Sequence, residues 1–308
     1  MSATAGPLGR LRARRPAISA QTRSEHRLGW MLSAPAVIAI LLVAAYPIIY
    51  AVVLSTQELD LRFPGEGGFI GLDNYRTVLT SSLWWQDLAN TLVIAVVSVA
   101  IELTLGMAIA LTMNRAIFGR GAVRTSVLIP YGIVTVVAAF AWQFAFAPGG
   151  FVNPALGIDK GWFGGHTSAL AVIIMAEVWK TTPFMALLLL AGLTTIDGGL
   201  YDAAKVDGAN AMQRFFRITL PLMKGAILVA LLFRSLDAFR IFDNIFIMTQ
   251  GAQNTESVSI LGYNQLISRT NLGLGSAVSV LIFILALVIA FGFIRLLGVR
   301  MTDGRPGT

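Results

Sequence analysis

Residues 202–221 read DAAKVDGANAMQRFFRITLP and form a charged, helix-prone segment between two long apolar stretches. The apolar stretch before it covers about 168–194, and the one after it covers about 222–249. Connections between packed helices are usually only a few residues long, whereas this polar loop extends over 195–221. We therefore expect the loop to have a function of its own, and the rest of the chain is interpreted outward from it.

The composition is that of a membrane protein. Hydrophobic residues make up 56% of the chain and charged residues 13%, with a mean hydropathy of +0.73, whereas about 25% of a soluble domain is charged. Six apolar stretches reach the ~20 residues that cross a bilayer core. They cover about 29–55, 87–113, 124–147, 168–194, 222–249 and 275–297. Because lipid cannot satisfy backbone groups, we predict an all-α protein with six transmembrane helices in a domain spanning 29–297.

Basic residues predict how these helices are oriented. They cluster before the first span, between the second and third, on or beside the polar loop, and after the sixth. These residues are Arg10, Arg12, Arg14, Arg15, Arg23 and Arg27; Arg115, Arg120 and Arg124; Lys205, Arg214, Arg217 and Lys224; and Arg295, Arg300 and Arg305. By the positive-inside rule, we expect the polar loop and both termini to be cytoplasmic. We also expect a multi-pass protein of the plasma membrane.

The same rule divides the chain into regions. We predict a cytoplasmic basic arm at 1–28, attracted to anionic lipid, and a cytoplasmic tail at 298–308. The first apolar stretch is too long for a signal peptide and is expected to remain as an uncleaved helix. Since this topology accounts for the net charge of +7, no nucleic-acid partner is expected.

Several kinds of chemistry are excluded or disfavoured. The chain contains no cysteine, which excludes disulfides, thiolate metal sites and cysteine nucleophiles. Its two histidines, His26 and His166, lie outside the predicted spans, so neither a metal site nor histidine catalysis is expected. No G-x-x-x-x-G-K-[ST] loop is found, and the chain should bind no ATP or other cofactor itself. An intramembrane enzyme would have to use paired acids such as Asp237 and Asp243.

The polar loop is predicted to contain two short helices. Asp197 can cap a helix that begins near Gly198. Gly208 permits a bend that a residue with a Cβ would resist, and a second helix at about 210–218 should end before Pro221. One face of the first helix is apolar and the other is charged. The apolar residues are Leu200, Ala203, Ala204 and Val206, and the charged ones are Asp202, Lys205 and Asp207.

The spacing within the loop resembles the EAA signature of ABC-importer permeases. The pattern is Ala-Ala, three residues, Gly, nine residues and Ile-x-Leu-Pro, with an aspartate in place of the family's leading glutamate. The resemblance implies a type I importer fold in which the loop couples the permease to a cytoplasmic ATPase. The coupling residues would be Asp202, Ala203, Ala204, Asp207, Gly208, Ile218, Leu220 and Pro221.

Other segments extend the resemblance to permeases that import di- and oligosaccharides. These segments are 69–75 (FIGLDNY), 129–131 (IPY), 179–184 (WKTTPF) and 238–243 (AFRIFD). Segments 127–137 (VLIPYGIVTVV) and 257–263 (SVSILGY) are similar to the permeases of trehalose importers. The resemblance implies trehalose as cargo, transported by alternating access. It also implies a second permease subunit, an ATPase dimer that binds ATP and Mg, and an extracytoplasmic substrate-binding lipoprotein. Another cargo (a different oligosaccharide, glycerol phosphate, amino acid or polyamine) and a secondary transporter remain the alternatives.

Groups of charged residues lie inside the fourth and fifth predicted spans. A charge at mid-bilayer costs about 2.5–3.5 kcal/mol on insertion scales, so these groups should face the bundle interior, a water-filled path or the second permease. They form either a salt-bridge ladder that fixes packing or a sugar-binding path, with rings from Phe239 and Phe242. In sugar permeases the corresponding spans line the path. The candidate path residues are Glu177, Lys180, Thr181, Phe184, Arg234, Asp237, Arg240 and Asp243.

Spacing suggests which of these charges pair. The four charges of the fifth span alternate in sign at intervals of three, and Glu177 and Lys180 are also three apart, so each neighbouring pair is within reach on a helix. Glu102 in the second span is a lone acid, which we expect to contact a partner helix rather than the cargo.

Overall fold

A computed structural model of the chain describes residues 20–63, 65, 67–115 and 120–301. Most of the predicted basic arm and most of the predicted tail lie outside the described residues. The same is true of Arg10, Arg12, Arg14, Arg15 and Arg305, on which part of the orientation prediction depends.

The described part of the chain is almost entirely helical. In order, its α-helices are α1 (Ala20–Ile40), α2 (Tyr46–Ser55), α3 (Asp73–Thr80), α4 (Ser82–Arg115), α5 (Arg120–Gly132), α6 (Thr135–Phe146), α7 (Val152–Leu156), α8 (His166–Leu193), α9 (Gly198–Val206), α10 (Ala211–Arg214), α11 (Leu220–Leu222), α12 (Lys224–Phe239), α13 (Asp243–Met248), α14 (Val258–Tyr263) and α15 (Leu272–Met301). Two-residue strands β1 (Gln57–Glu58) and β2 (Gly68–Phe69) pair antiparallel after α2. The all-α prediction is confirmed.

Within the described residues, four helices are long and apolar enough to cross a membrane. They are Leu28–Ser55, Ser82–Asn114, His166–Leu193 and Leu272–Leu296, and they correspond to the predicted first, second, fourth and sixth spans. Two further pairs of helices pass the same test together but are bent, Thr125–Gly132 with Thr135–Phe146 by 89° and Ala211–Leu222 with Lys224–Met248 by 67°. Counting each bent pair as one span gives the predicted six.

The third and fifth spans are each broken into two helices. In the third span Pro130 lies inside α5, and Val134 adopts an extended conformation with ψ of 131°, so the helix ends and restarts at that point. Proline and glycine are common causes of such breaks. In the fifth span α12 ends at Phe239, and Arg240 leaves the helical conformation. The carbonyl of Ile241, freed by this break, accepts a hydrogen bond from Ser257 at 2.9 Å.

Helices α4, α8 and α12 form the centre of the bundle. A Cβ on Gly106 of α4 would lie 2.8 Å from Met185 Cγ of α8, and one on Gly192 of α8 would lie 2.4 Å from Ala226 Cβ of α12. Small residues at these crossings therefore allow the helices to approach closely. The same helices carry the buried charges described below, so close packing fixes those charges relative to one another.

The polar loop folds largely as predicted. The carboxylate of Asp197 accepts a hydrogen bond from the Gly199 amide at 3.0 Å and caps α9, and Gly208 has a φ of +78°. The prediction that the second short helix ends before Pro221 is wrong. A π-helical turn, Phe215–Thr219, leads directly into α11, which has the proline in its first turn.

Candidate functional site

A cavity of about 430 Å³ lies where the break of the third span faces α8 and the segment joining α12 to α13. Its walls combine carboxylates, cations, hydroxyls, an amide and two aromatic rings. The lining residues are Tyr131, Thr135, Glu177, Lys180, Thr181, Asp237, Arg240, Ile241, Phe242, Asp243 and Asn244. Both helix breaks, at 133–134 and at 240–242, contribute to the walls, because a broken helix can turn polar groups toward an interior space.

Arg234 organises the charges behind this cavity. Its Nε donates to Glu102 Oε2 at 2.6 Å and its Nη2 donates to Glu102 Oε1 at 2.9 Å. Nη2 also lies 3.2 Å from Glu177 Oε1, and Nη1 is paired with Asp237. The side chains of Arg234 and Glu102 are both 0% exposed. This bidentate geometry is the strong form of the arginine–carboxylate interaction.

Glu102 thus contacts other helices and does not line the cavity. It contacts helices of the same chain, since Thr181 Oγ1 of α8 also donates to its Oε1 at 2.7 Å. Sequence reasoning also did not single out Asn244, whose Nδ2 donates to Glu177 Oε2 at 2.7 Å. The available signal was the presence of acids in span two and of several charges in span five, but spacing along the chain does not indicate which of these charges pair.

The ladder of i,i+3 pairs is mostly not formed. Within the described residues, the fifth span contains one ion pair of this kind, between Arg234 and Asp237, because the helix breaks at Arg240 before the other pairs can align. Glu177 pairs with Arg234 rather than with Lys180. Lys180 Nζ instead donates to the carbonyl of Ile133 at 2.6 Å.

The structure brings together six of the eight predicted path residues. Glu177, Lys180, Thr181, Asp237, Arg240 and Asp243 line the cavity. Arg234 lies behind the wall, and Phe184 stacks on Tyr131 with ring centroids 5.3 Å apart. Of the two rings expected nearby, Phe242 lines the cavity, whereas Phe239 is buried in the apolar core with Trp84 and Val258. The lining residues not singled out are Tyr131, Thr135, Ile241 and Asn244.

The polar loop presents an apolar face that nothing in the described chain covers. Val206 on α9 is 88% exposed, and Leu200, Met212 and Phe216 are exposed as well. Internal contacts hold the loop together. Tyr201 Oη lies 2.9 Å from Thr219 Oγ1, and the asparagine at 210 forms a capping box with Gln213. A loop that is held by internal contacts and exposes apolar side chains is suited to docking against another protein.

The charged side of α9 is internally paired. Lys205 Nζ lies 2.7 Å from Asp202 Oδ1, and the hydrogen bond from Lys205 lowers the pKa of the Asp202 carboxyl below its usual value. Both groups are exposed, so their pair contributes little to stability. The aspartate that replaces the family's glutamate thus keeps its negative charge and directs it along the helix toward Lys205.

Comparison with known families assigns the chain. Residues 102–303 match the model of the family described as binding-protein-dependent transport system inner membrane component. This chain belongs to that family. Membership identifies it as a membrane-embedded, non-catalytic permease subunit of an ABC importer, and it excludes the secondary-transporter alternative. Across the described residues, no group of three or more His, Cys, Asp or Glu side chains could hold a metal ion.

Curated relatives of this permease match nearly its whole length. The chain is 54% identical over 284 residues to the trehalose transport system permease protein SugA of Mycobacterium tuberculosis, covering 92% of each chain. It is 37% identical over 278 residues to the trehalose/maltose transport system permease protein MalF of Thermococcus litoralis, covering 88% of this chain and 94% of the relative.

Solved structures support the fold of the permease. A crystal structure of a bacterial ABC transporter involved in the import of the acidic polysaccharide alginate matches with a TM-score of 0.77 and 24% identity, over 91% of this chain and 99% of that chain. A MetNI methionine ABC transporter matches with a TM-score of 0.53 and 20% identity, over 73% of this chain and 97% of that chain. The type I importer fold inferred from the loop is thereby confirmed.

Proposed function

We propose that this permease translocates a neutral disaccharide, trehalose, and that the cavity beside Glu177 and Asp237 is part of its path. The observation that carries the proposal is the composition of that cavity, which combines hydrogen-bonding groups with the rings of Tyr131 and Phe242. Sugars are bound by directional polar groups together with aromatic platforms. The volume of about 430 Å³ lies within the range of about 300–1,000 Å³ usual for ligand pockets.

The charge of the cavity favours a neutral cargo over an anionic one. Three lining carboxylates face two cations, which leaves a formal charge of −1. Arg234 and Glu102 behind the wall neutralise each other and do not change this balance. A phosphorylated glycerol would bring additional negative charge into a low-dielectric site, which is unfavourable. The similarity to the SugA and MalF permeases supports trehalose among the neutral sugars.

The proposed assembly contains three further kinds of subunit. They are a second permease of the SugB type, an ATPase dimer of the SugC type that binds ATP and Mg, and a substrate-binding lipoprotein of the LpqY type outside the cell. The exposed apolar face of α9 supports an ATPase partner. The orientation that follows has the polar loop and both termini in the cytoplasm, with the basic arm at 1–28 near anionic lipid.

The connectivity supports transport by alternating access. The polar loop joins the end of α8 directly to the start of α12, and both helices carry cavity-lining residues. Gly192 and Ala226 lie in close contact where the two helices meet the loop. A displacement of the docked loop by the ATPases would therefore move both walls of the cavity, which is the requirement for opening it alternately to the two sides.

Uptake by the reconstituted complex tests this proposal. Proteoliposomes containing this permease, its second permease, the ATPases and the lipoprotein should accumulate radiolabelled trehalose only when ATP is present on the ATPase side. Unlabelled trehalose should compete, and glycerol phosphate and polyamines should not. A complex that transports another sugar while ignoring trehalose would contradict the cargo assignment. A Tyr131→Ala variant that retains normal uptake would contradict the assignment of the cavity.

A further inference from the structure

The break in the third span places two residues in the cavity wall. Tyr131 precedes the break and Thr135 follows it, and both line the cavity. The two halves meet at 89°, so the positions of these side chains depend on how the end of α5 is held. The carbonyls at that end have no partner farther along the helix, because the next turn is missing.

Lys180 supplies a partner for the carbonyl of Ile133, the residue that follows α5. Its Nζ donates to Ile133 O at 2.6 Å and lies 5.9 Å from the centroid of the Tyr131 ring. Among the described residues, Lys180 takes part in no ion pair within 4.0 Å. Its charge is instead stabilised by the negative end of the α5 dipole and by the face of the ring.

A second contact joins the same two helices. Phe184 lies four residues after Lys180 on α8, hence on the same face of the helix. Its ring is stacked on that of Tyr131 with an interplanar angle of 12°. The end of α5 is thus fastened to α8 at two successive positions, by a charged hydrogen bond and by a ring contact.

We propose that Lys180 is a positioning residue that clamps the broken third span against α8 and thereby places Tyr131 and Thr135 in the cavity wall. This role rests on the proposed function only where it concerns the sugar. Without the clamp, the Ile133 carbonyl loses its charged donor and the wall loses its fixed geometry. The cavity then binds cargo less well, because the groups that contact the cargo are no longer held in place.

Transport kinetics provide the first test. Lys180→Met removes the ammonium group and its charged hydrogen bond, so the KM for trehalose should rise about tenfold. The maximal rate of transport should change much less. Lys180→Arg keeps a charged donor and should restore most of the affinity. Lys160→Met is the matched control, because Lys160 also lies over an aromatic ring, that of Trp162 at 4.3 Å, but does not line the cavity. It should leave the KM unchanged.

Thiol labelling tests the clamp without any assumption about the cargo. The chain contains no cysteine, so Thr135→Cys introduces the only thiol of this subunit, which labelled tryptic peptides can distinguish from thiols of other subunits. In the purified complex, its reaction rate with a methanethiosulfonate should change several-fold when Lys180→Met is added, and should stay unchanged with Lys160→Met. Should Lys180→Met fail to assemble, Phe184→Leu should change the labelling in the same direction by a smaller factor.

The two tests fail in different ways. Equal labelling rates with and without the lysine would overturn the clamp, whatever sugar is transported. So would a variant that lowers only the yield or thermal stability of the complex and alters neither KM nor labelling. A changed labelling rate combined with no trehalose transport would support the clamp and count against the proposed cargo.

Discussion

Arg234 determines how the cavity is supported at the scale of single residues. Its guanidinium joins Glu102 of α4, Glu177 of α8 and Asp237 of its own helix. The sequence predicted that the charges of spans four and five face inward, because lipid-facing charges are costly. It could not predict that Glu102 is the principal partner of Arg234, since the two lie 132 residues apart and no periodicity relates them. The pairing depends on the close packing of α4, α8 and α12.

Removal of this arginine should destabilise the permease strongly. Breaking a buried pair by removing one partner costs about 3–5 kcal/mol, because a buried charge loses its counter-ion. Arg234→Met should therefore lower the thermal unfolding midpoint of the detergent-purified complex by several degrees. Arg240→Met is the control, since Arg240 is exposed and forms no ion pair with the described residues. Adding Glu102→Gln to Arg234→Met should recover part of the loss, and strictly additive effects would contradict the pairing.

At the scale of helices and loops, the sequence correctly predicted those features that depend on only a few neighbouring residues. The capping aspartate at 197 and the left-handed glycine at 208 were predicted from residue type alone, and both have the expected geometry. The break after Pro130-Tyr131-Gly132 also had a local signal, namely its proline and glycine. Hydropathy averaged over a window of the length of a span does not detect this signal. The break at 240–242 has no glycine or proline to indicate it. It is stabilised instead by a tertiary contact, the hydrogen bond from Ser257 to the Ile241 carbonyl, which the local sequence cannot reveal.

Gly208 should be essential for coupling between the ATPases and transport. Its φ of +78° is unfavourable for other residues, although a Cβ there would meet no atom within 4 Å, so strain of about 1–2 kcal/mol would come from the backbone alone. Gly208→Val should leave the protein inserted and assembled but reduce ATP-dependent uptake at least several-fold. Asparagine adopts a positive φ more readily than valine does, so Gly208→Asn should retain most of the uptake. Gly198→Val, in open space without a positive φ, is the control, and normal uptake by Gly208→Val would contradict the coupling model.

On the scale of the whole molecule, the bundle separates a central helix from helices at its surface. In the most apolar stretch of His166–Leu193, 61% of the residues are buried, against 17% in that of Leu272–Leu296. Hydropathy cannot make this distinction, because lipid and a protein core are equally apolar. The inward charges of α8 could have suggested its central position, whereas α15 has an apolar surface that is free to contact lipid or the second permease.

The orientation of the whole chain can be tested with single cysteines, since the chain has none of its own. Phe69 in β2 is 80% exposed, Leu156 on α7 is also exposed, and Val206 on α9 is 88% exposed. In intact cells a membrane-impermeant maleimide should label Phe69→Cys and Leu156→Cys but not Val206→Cys. Opening the cells should expose Val206→Cys when the permeases are produced without the ATPase, and co-production of the ATPase should protect it. Labelling of Val206→Cys in intact cells would show that the chain has the opposite orientation. Labelling of Val206→Cys that is the same with and without the ATPase would exclude the α9 face as the docking surface of the ATPase.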